Sequence, residues 1–394
     1  MKQRANLFRV FNIFGYLLLG VLLMVVLAAC KKNEGTLESQ SARGNVIKIG
    51  MALPLTGVEA SYGRDSLQGA QLAVEELNTN GGVLGRHLQL VVKDNQSKAG
   101  ETSIVIRELI NRQHVSALVG EGASGRSLEA APIAQKNGIP LISSGSTNVK
   151  VTKIGNYIFR MCFIDSFQGK VMAKFAHSIG IQNIAIILDS SKDYSIGLAQ
   201  SFSKDFMALG GRIVVQQSYT GNDKDFSAQL TAVKAAHPEA VFLPSYYTEA
   251  SAIISQARQI GLEVPFMGGD GWDSEEFLKM GGKAMEGSYF SDHFSPDNQA
   301  PVVRNFVEGY RKKYGIPPSA LAALAYDSIR LLADTIQRIR TVDPIQVRDA
   351  LAATTNFPAV TGTITFDENR NPQKPAIIIK VRNGKFTFFK SMEL

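Results

Sequence analysis

Cysteine is almost missing from this chain of 394 residues, which holds only Cys30 and Cys162. With Cys30 in the N-terminal segment, the lone Cys162 can form neither an internal disulfide nor a thiolate metal cage. Histidine is scarce too. His87, His114, His177, His237 and His293 are scattered, with no H-x-x-x-H metal spacing, and each reads as a surface or satisfied residue. No basic run is interleaved with aromatics. The formal charge of +7 falls to +4 once Lys2, Arg4 and Arg9 are set aside, which is mild for this length and argues against a nucleic-acid role. Nothing in the pattern calls for a metal or a cofactor.

What is present begins with an export pattern. Three basic residues without an acid precede one apolar run, Tyr16 to Ala29, broken only by Gly20. The run falls short of the roughly 20 residues that a membrane span needs. It closes on small residues, Leu27-Ala28-Ala29-Cys30, as an export signal does. That tetrapeptide resembles the lipobox of bacterial lipoproteins. The resemblance implies an acylated Cys30 as the first mature residue, and two or more acyl chains anchor a protein stably. The alternative is an uncleaved anchor with an incidental cysteine. Residues 1–29 are thus expected to be a lipoprotein signal peptide and 30–45 a polar, flexible tether. The remaining chain of about 365 residues is long enough for two domains and for a core that needs no disulfide.

From Val46 the pattern alternates. Strands are expected at Val46–Leu53, His87–Val92, Ala117–Val119 and Ile139–Ile142. Helices between them span Asp65–Asn80, Ala99–Arg112 (Ile104, Leu109 and Ile110 inward) and Ser127–Asn137. The alternation restarts near Ser166, with strands at Ile184–Leu188, Arg212–Gln217, Ala240–Leu243 and Pro265–Met267. Repeated βα units imply parallel sheets with helices on both faces. The fold class is therefore α/β, in two similar lobes. The tail differs: three helices, then Gly362–Phe366 and Ala376–Val381 as an expected closing antiparallel pair.

Several segments, in this order, resemble the leucine/isoleucine/valine-type periplasmic binding proteins, the solute receptors of ABC importers. They are Gly50-Met51-Ala52-Leu53-Pro54-Leu55-Thr56-Gly57, Glu75-Glu76-Leu77-Asn78-Thr79-Asn80-Gly81-Gly82, Ile139-Pro140-Leu141-Ile142-Ser143 with Ser146-Thr147, Tyr194-Ser195-Ile196-Gly197, and Phe266-Met267-Gly268. The resemblance covers residues 46 to 390. It implies a type 1 periplasmic binding fold with three crossing segments and a hinged cleft. One lobe is expected from residues 46–163 and 292–363, the other from 164–291 and 364–394. It also implies delivery of a solute to a membrane permease driven by an ATPase, outside the cytoplasm on a bacterial membrane. A disulfide common near the binding loop of such receptors is absent, since Gln96 and Ala123 stand at the matching positions.

A zwitterionic amino acid needs donors for its carboxylate and an acid for its ammonium, because both groups lose water on binding. Donors converge at helix N-termini. Gly120–Gly125 and Ser143–Thr147 each follow a strand. In the family, the positions of Ser124, Ser146 and Thr147 hold the ligand carboxylate, although Ser124 also reads as a helix cap. Asp270, in a glycine-rich loop, matches the acid that takes the amine; the plainer reading is an Asx-turn. Tyr62, Tyr194 and Tyr246 or Tyr247 match positions lining the pocket. Trp272, the only tryptophan, either joins them or shields the hinge.

Other readings fit less well. Gly120–Gly125 satisfies G-x-G-x-x-G, but the next strand ends in Ser143-Ser144 where a dinucleotide site wants an acid. Gly122-Ala123-Ser124-Gly125-Arg126 lacks the last glycine of a nucleophile elbow, so enzyme function is not expected. Within the same fold the ligand could instead be an amide, urea or a small organic acid, or the protein a sensor. Cys30→Ser is expected to leave the protein unprocessed or to release it from the membrane fraction. Normal cleavage and membrane retention of that variant would contradict the lipoprotein reading.

Overall fold

A computed structural model describes residues 46–221 and 223–392. The expected signal peptide 1–29, Cys30 and the tether 30–45 lie outside the described residues. No described helix is long and apolar enough to cross a membrane.

Two sheets organise the chain. The first holds β1 (Val46–Leu53), β2 (His87–Asp94), β3 (Ala117–Gly120), β4 (Leu141–Ser143) and β5 (Ile158–Arg160), all parallel, in the order β2-β1-β3-β4-β5. The second repeats that order with β6 (Asn183–Asp189), β7 (Arg212–Tyr219), β8 (Ala240–Phe242), β9 (Phe266–Gly268) and β10 (Tyr289–Asp292), as β7-β6-β8-β9-β10. It then gains two antiparallel strands, β11 (Ala376–Arg382) and β12 (Lys385–Met392). Four helices accompany the first sheet: α1 (Ala60–Thr79), α2 (Glu101–Asn111), α3 (Ser124–Lys136) and the short α4 (Lys150–Lys153). Five accompany the second: α5 (Asp165–Ser178), α6 (Asp193–Ala208), α7 (Ser227–Ala235), α8 (Tyr247–Gln259) and α9 (Glu275–Gly281).

The chain passes between the sheets three times. It leaves the first after β5. It returns after β10 to lay α10 (Pro301–Tyr314) and α11 (Ala320–Ile339) against α1, with α12 (Pro344–Ala352) on α11. It re-enters the second sheet at β11. The tail helices carry clear end signals. Pro301 opens α10 and Gly315, with φ 75°, closes it. The Ser319 hydroxyl caps α11 by accepting from the Ala322 N–H.

Three expectations needed correction. The closing antiparallel pair is β11 with β12, not Gly362–Phe366 with β11. Within 362–366 only isolated bridges form, Ile364 with Phe357 and Phe366 with Pro372. The true turn is Asn383-Gly384, both with positive φ (54° and 67°), the residue pair that type I′ hairpins favour. Ile104 faces solvent at 60% exposure. The buried stripe of α2 runs through Thr102, Val105, Ile106, Leu109 and Ile110, so Leu109 and Ile110 point inward as expected and Ile104 does not. Trp272 is fully buried in the second lobe, stacked on Phe277 at 5.1 Å, its ring filling the space beside Gly268.

Helices α1 and α11 cross so closely that a Cβ on Gly69 would lie 1.9 Å from the Ala322 carbonyl oxygen. Backbone on both sides leaves nothing to yield. Gly69→Ala is expected to cost about 1–3 kcal/mol, as overpacking usually does, and to lower the urea midpoint. An unchanged midpoint would contradict this packing.

Candidate functional site

In open parallel sheets of this order, ligands sit beyond the carboxyl ends of the strands, at the point where strand order reverses. Both lobes turn those ends toward each other, and the residues of interest follow them directly. Tyr62 comes after β1, Ser124 after β3, Ser146 and Thr147 after β4. From the other lobe come Tyr194 after β6, Tyr246 after β8, Asp270 after β9 and His293 after β10.

The first wall is built on a strained turn. Glu121 adopts φ 64° and is buried. Its carboxyl takes a hydrogen bond from Asn95 Nδ2 at 2.8 Å, and burial together with Glu59 raises its pKa well above the ordinary range. Its backbone carbonyl accepts from the Ser143 and Ser146 hydroxyls, each at 3.1 Å. The Ser146 hydroxyl also pairs with Ser127 at 2.8 Å, so it is spent within the loop. Thr147 differs: its Oγ1 is buried and has no partner. Ser124 is the first residue of α3. It does not cap that helix; its Oγ accepts from the Asn148 N–H at 3.2 Å. The Ser124 N–H, one of the free donors at the helix start, points across the cleft to the Tyr246 hydroxyl at 3.3 Å.

The second wall centres on Asp270, whose side chain is 11% exposed. It opens a single 3-10 turn, Asp270–Trp272. Rather than folding back on its own backbone, the carboxylate accepts from the Tyr194 hydroxyl at 3.1 Å and faces His293 Nε2 at 3.2 Å. Burial holds the His293 imidazole down to about 4, against the opposing pull of Asp270. It is therefore neutral at pH 7, and the carboxylate partner assigns its proton to Nε2. Among the described residues no lysine or arginine nitrogen lies within 4.0 Å of Asp270. More carboxyls crowd the site. Burial pushes Asp273 up to about 7, and burial with Asp273 beside it raises Asp292 well above its usual range.

Aromatic and apolar groups fill the gap between the walls. Tyr194 and Tyr246 stack at 5.0 Å, and Tyr62 meets Tyr246 edge-on at 5.7 Å. Leu321 projects from α11 over Gly122 and Gly145; a Cβ on Gly145 would lie 2.4 Å from its Cδ2. The lobes also bond directly. The Tyr62 hydroxyl donates to the Gly271 carbonyl, Ser61 and Ser274 pair at 2.8 Å, and Asp273 accepts from the Ala320 N–H at 2.5 Å. Lys192 reaches Glu59 at 3.7 Å. The space left inside is about 10 Å³, near the minimum for one water. Any larger solute therefore requires the lobes to part.

Tyr62, Tyr194, Tyr246 and Asp270 line this space together. Tyr247 stands outside it, 5.1 Å from Tyr62, its hydroxyl accepting from the Ser61 N–H. Ser146 is turned into its own loop, and Trp272 belongs to the core of the second lobe. Sequence reasoning missed Leu321, Asp292 and His293, all lining residues. The sequence reads His293 as a surface or satisfied histidine; it is buried and faces Asp270, and its position straight after β10 beside Asp292 is the available signal. Nothing in the sequence marks Leu321.

A sequence profile described as "Periplasmic binding protein" matches residues 46–385. The leucine-, isoleucine-, valine-, threonine-, and alanine-binding protein of Pseudomonas aeruginosa is 30% identical over 333 residues, 84% of this chain and 88% of that protein. The leucine binding protein LivK of Thermotoga maritima is similar in structure, with TM-score 0.85 and 38% identity over 88% of this chain and 98% of that one. So is the branched-chain amino acid transporter substrate binding protein LivJ of Streptococcus pneumoniae, solved in complex with isoleucine, with TM-score 0.83 and 37% identity over 86% and 97% of the two chains. With its two matching lobes and the cleft between their strand ends, this chain belongs to the periplasmic binding protein family.

Proposed function

We propose that the protein captures an α-amino acid with a branched or otherwise apolar side chain between its lobes and delivers it to an ABC permease. The observation that carries this reading is the polarity of the cleft. One wall offers the α3 N-terminus, whose Ser124 N–H meets the Tyr246 hydroxyl of the other lobe, with the unpartnered Thr147 hydroxyl in the loop beside it; the facing wall offers Asp270 without a cation. A carboxylate suits the first and an ammonium the second. Tyr62, Tyr246 and Leu321 supply an apolar surface between them, with hydroxyls at its edge. The names of the relatives, which bind leucine, isoleucine and valine, support the same class. Small organic acids fit poorly, since an anion lacking an amine would leave Asp270 without a counter-charge. The proposal includes export and a lipid anchor on Cys30, and it involves binding without chemistry.

Titration calorimetry of the mature protein with leucine, isoleucine and valine tests it, with 4-methylpentanoate as the deaminated analogue of leucine. Wild type is expected to bind the amino acids and reject the analogue, as sites built around a polar group do. Truncating one partner of a buried charged hydrogen bond costs about 2–5 kcal/mol, so Asp270→Ala is expected to weaken leucine binding at least about thirtyfold. Leucine affinity equal to wild type in Asp270→Ala would remove the amine role.

A further inference from the structure

The cleft lies at the carboxyl ends of the strands, and the opposite end of the first lobe plays no part in it. The described chain enters the lobe at that end, at Val46 of β1. Helices in βα units run against their strands, so α1, α2 and α3 finish there, and so does α11, whose first residues line the cleft. Contacts tie this base together. Arg86 Nη2 donates to the Val46 carbonyl at 2.9 Å, and Lys48 Nζ to the Gln113 carbonyl just past α2 at 3.1 Å. The Leu84 N–H donates to Gln337 Oε1, in the last turn of α11, at 2.8 Å. On the far side the Tyr157 N–H donates to Gln135 Oε1, in the last turn of α3, at 2.9 Å, and the Arg348 guanidinium of α12 lies over the Tyr157 ring at 4.8 Å.

This base is basic. Arg112 follows α2, Lys136 ends α3, and Arg338 and Arg340 stand at the end of α11; all four are exposed. Arg86 and Arg348 are half-buried among them. The acids nearby are already occupied. Lys93 holds Glu108 at 2.6 Å, Arg338 holds Asp334 at 3.8 Å and Arg348 holds Asp349 at 2.6 Å. Asp343 caps α12, accepting from the Gln346 N–H at 3.0 Å. Arg112, Lys136 and Arg340 have no ion pair among the described residues. Ile345, at the start of α12, adds an apolar side chain that is 54% exposed. The second lobe differs at the same end. An acid comes shortly before each of β8, β9 and β10, at Glu239, Glu263 and Glu286, and cations such as Arg212 and Lys283 stand among them. Charge there is mixed.

We propose that the base of the first lobe is a membrane-facing surface: its cations rest on the anionic phospholipid headgroups of the bilayer that carries the protein, and hold the receptor with its cleft turned to the medium. This rests on the lipid-anchor reading and not on the identity of the ligand. Residues 31–45 separate Cys30 from Val46 and span at most about 50 Å, so an acylated Cys30 keeps the start of β1 close to the headgroups. Near an anionic surface each lysine or arginine strengthens binding about fivefold. The attraction fades within a Debye length, about 8 Å at physiological ionic strength, so cations gathered on one face act together. At that ionic strength the contact orients an anchored protein rather than retaining a free one. The plainer role for these cations, at helix carboxyl ends where they favour the dipole, predicts no preference for anionic lipid.

Vesicle flotation reads the surface without the anchor. The full mature chain, produced from residue 30 with Cys30→Ser so that no acyl chain contributes, is mixed with vesicles of phosphatidylcholine alone or with an equal part of phosphatidylglycerol. It is expected to float with the mixed vesicles at low salt and to stay behind with the neutral ones. Release is expected at about 1 M salt, where the Debye length is about 3 Å. Adding Arg112→Gln and Arg340→Gln together is expected to weaken the partition about twentyfold, with the thermal midpoint unchanged. Adding Arg212→Gln and Lys283→Gln, on the second lobe, is expected to leave the partition unchanged. No flotation of the parent chain with the mixed vesicles overturns the proposal. Equal flotation of the Arg112 and Arg340 variant overturns it as well, and so does an equal loss in both variants, which assigns the binding to net charge alone. Cell fractionation of Cys30→Ser tests the anchor separately, so a failed anchor and a failed surface are told apart.

Discussion

The Asp270 carboxylate, 11% exposed, lies between two lobes with only a tyrosine hydroxyl and a neutral imidazole for company. Taking an anion out of water costs several kcal/mol unless a counter-charge and full hydrogen bonding replace the solvent. Here the hydrogen bonds are present and the counter-charge is missing. The surroundings supply none, and burial raises Asp273 and Asp292 above the ordinary carboxylate range. Each of these acids would ionise more readily if a cation stood among them. The cleft is thus an electrostatic mould for one positive group, and the rest of the architecture determines how that group is presented.

The doubled topology accounts for the presentation. Because both sheets run in the same order, both place their loops at the carboxyl strand ends, and the two sets of loops meet face to face. The donor end of α3 and the acid after β9 come from different lobes. A solute carrying both charges bridges them, and one carrying a single charge engages only one lobe. The direct bonds from Ser61 to Ser274, Tyr62 to Gly271 and Asp273 to Ala320 show that the surfaces already complement each other. A ligand then need supply only the difference in stability between the parted and joined arrangements.

Much of this was legible in the sequence. The alternation of strand and helix was read along most of the chain because long, strongly periodic segments such as α1, α6 and α11 repeat their apolar spacing over several turns. The short strands β5 and β10 escaped, both interrupted by polar residues: β5 contains a fully buried arginine, Arg160, and β10 the buried Ser291 and Asp292. The Asn383-Gly384 turn was a readable signal that was passed over in favour of the Gly362–Phe366 segment. In the cleft, residues following strands were found because strand ends are where such folds bind. Leu321 was not, since it comes from a helix more than a hundred residues away and only the close approach at Gly122 and Gly145 brings it in. Trp272 was misjudged for a different reason: its neighbour Asp270 faces the cleft, while the 3-10 turn carries the indole into the core.

The claim on which the account depends is that an amino acid joins the two lobes by satisfying both walls at once. Small-angle scattering of the mature protein tests it most directly, with saturating leucine, with 4-methylpentanoate at the same concentration, and with neither. The account predicts a smaller radius of gyration with leucine and no change with the deaminated acid. An identical radius in all three, with leucine bound as judged by calorimetry, would contradict it.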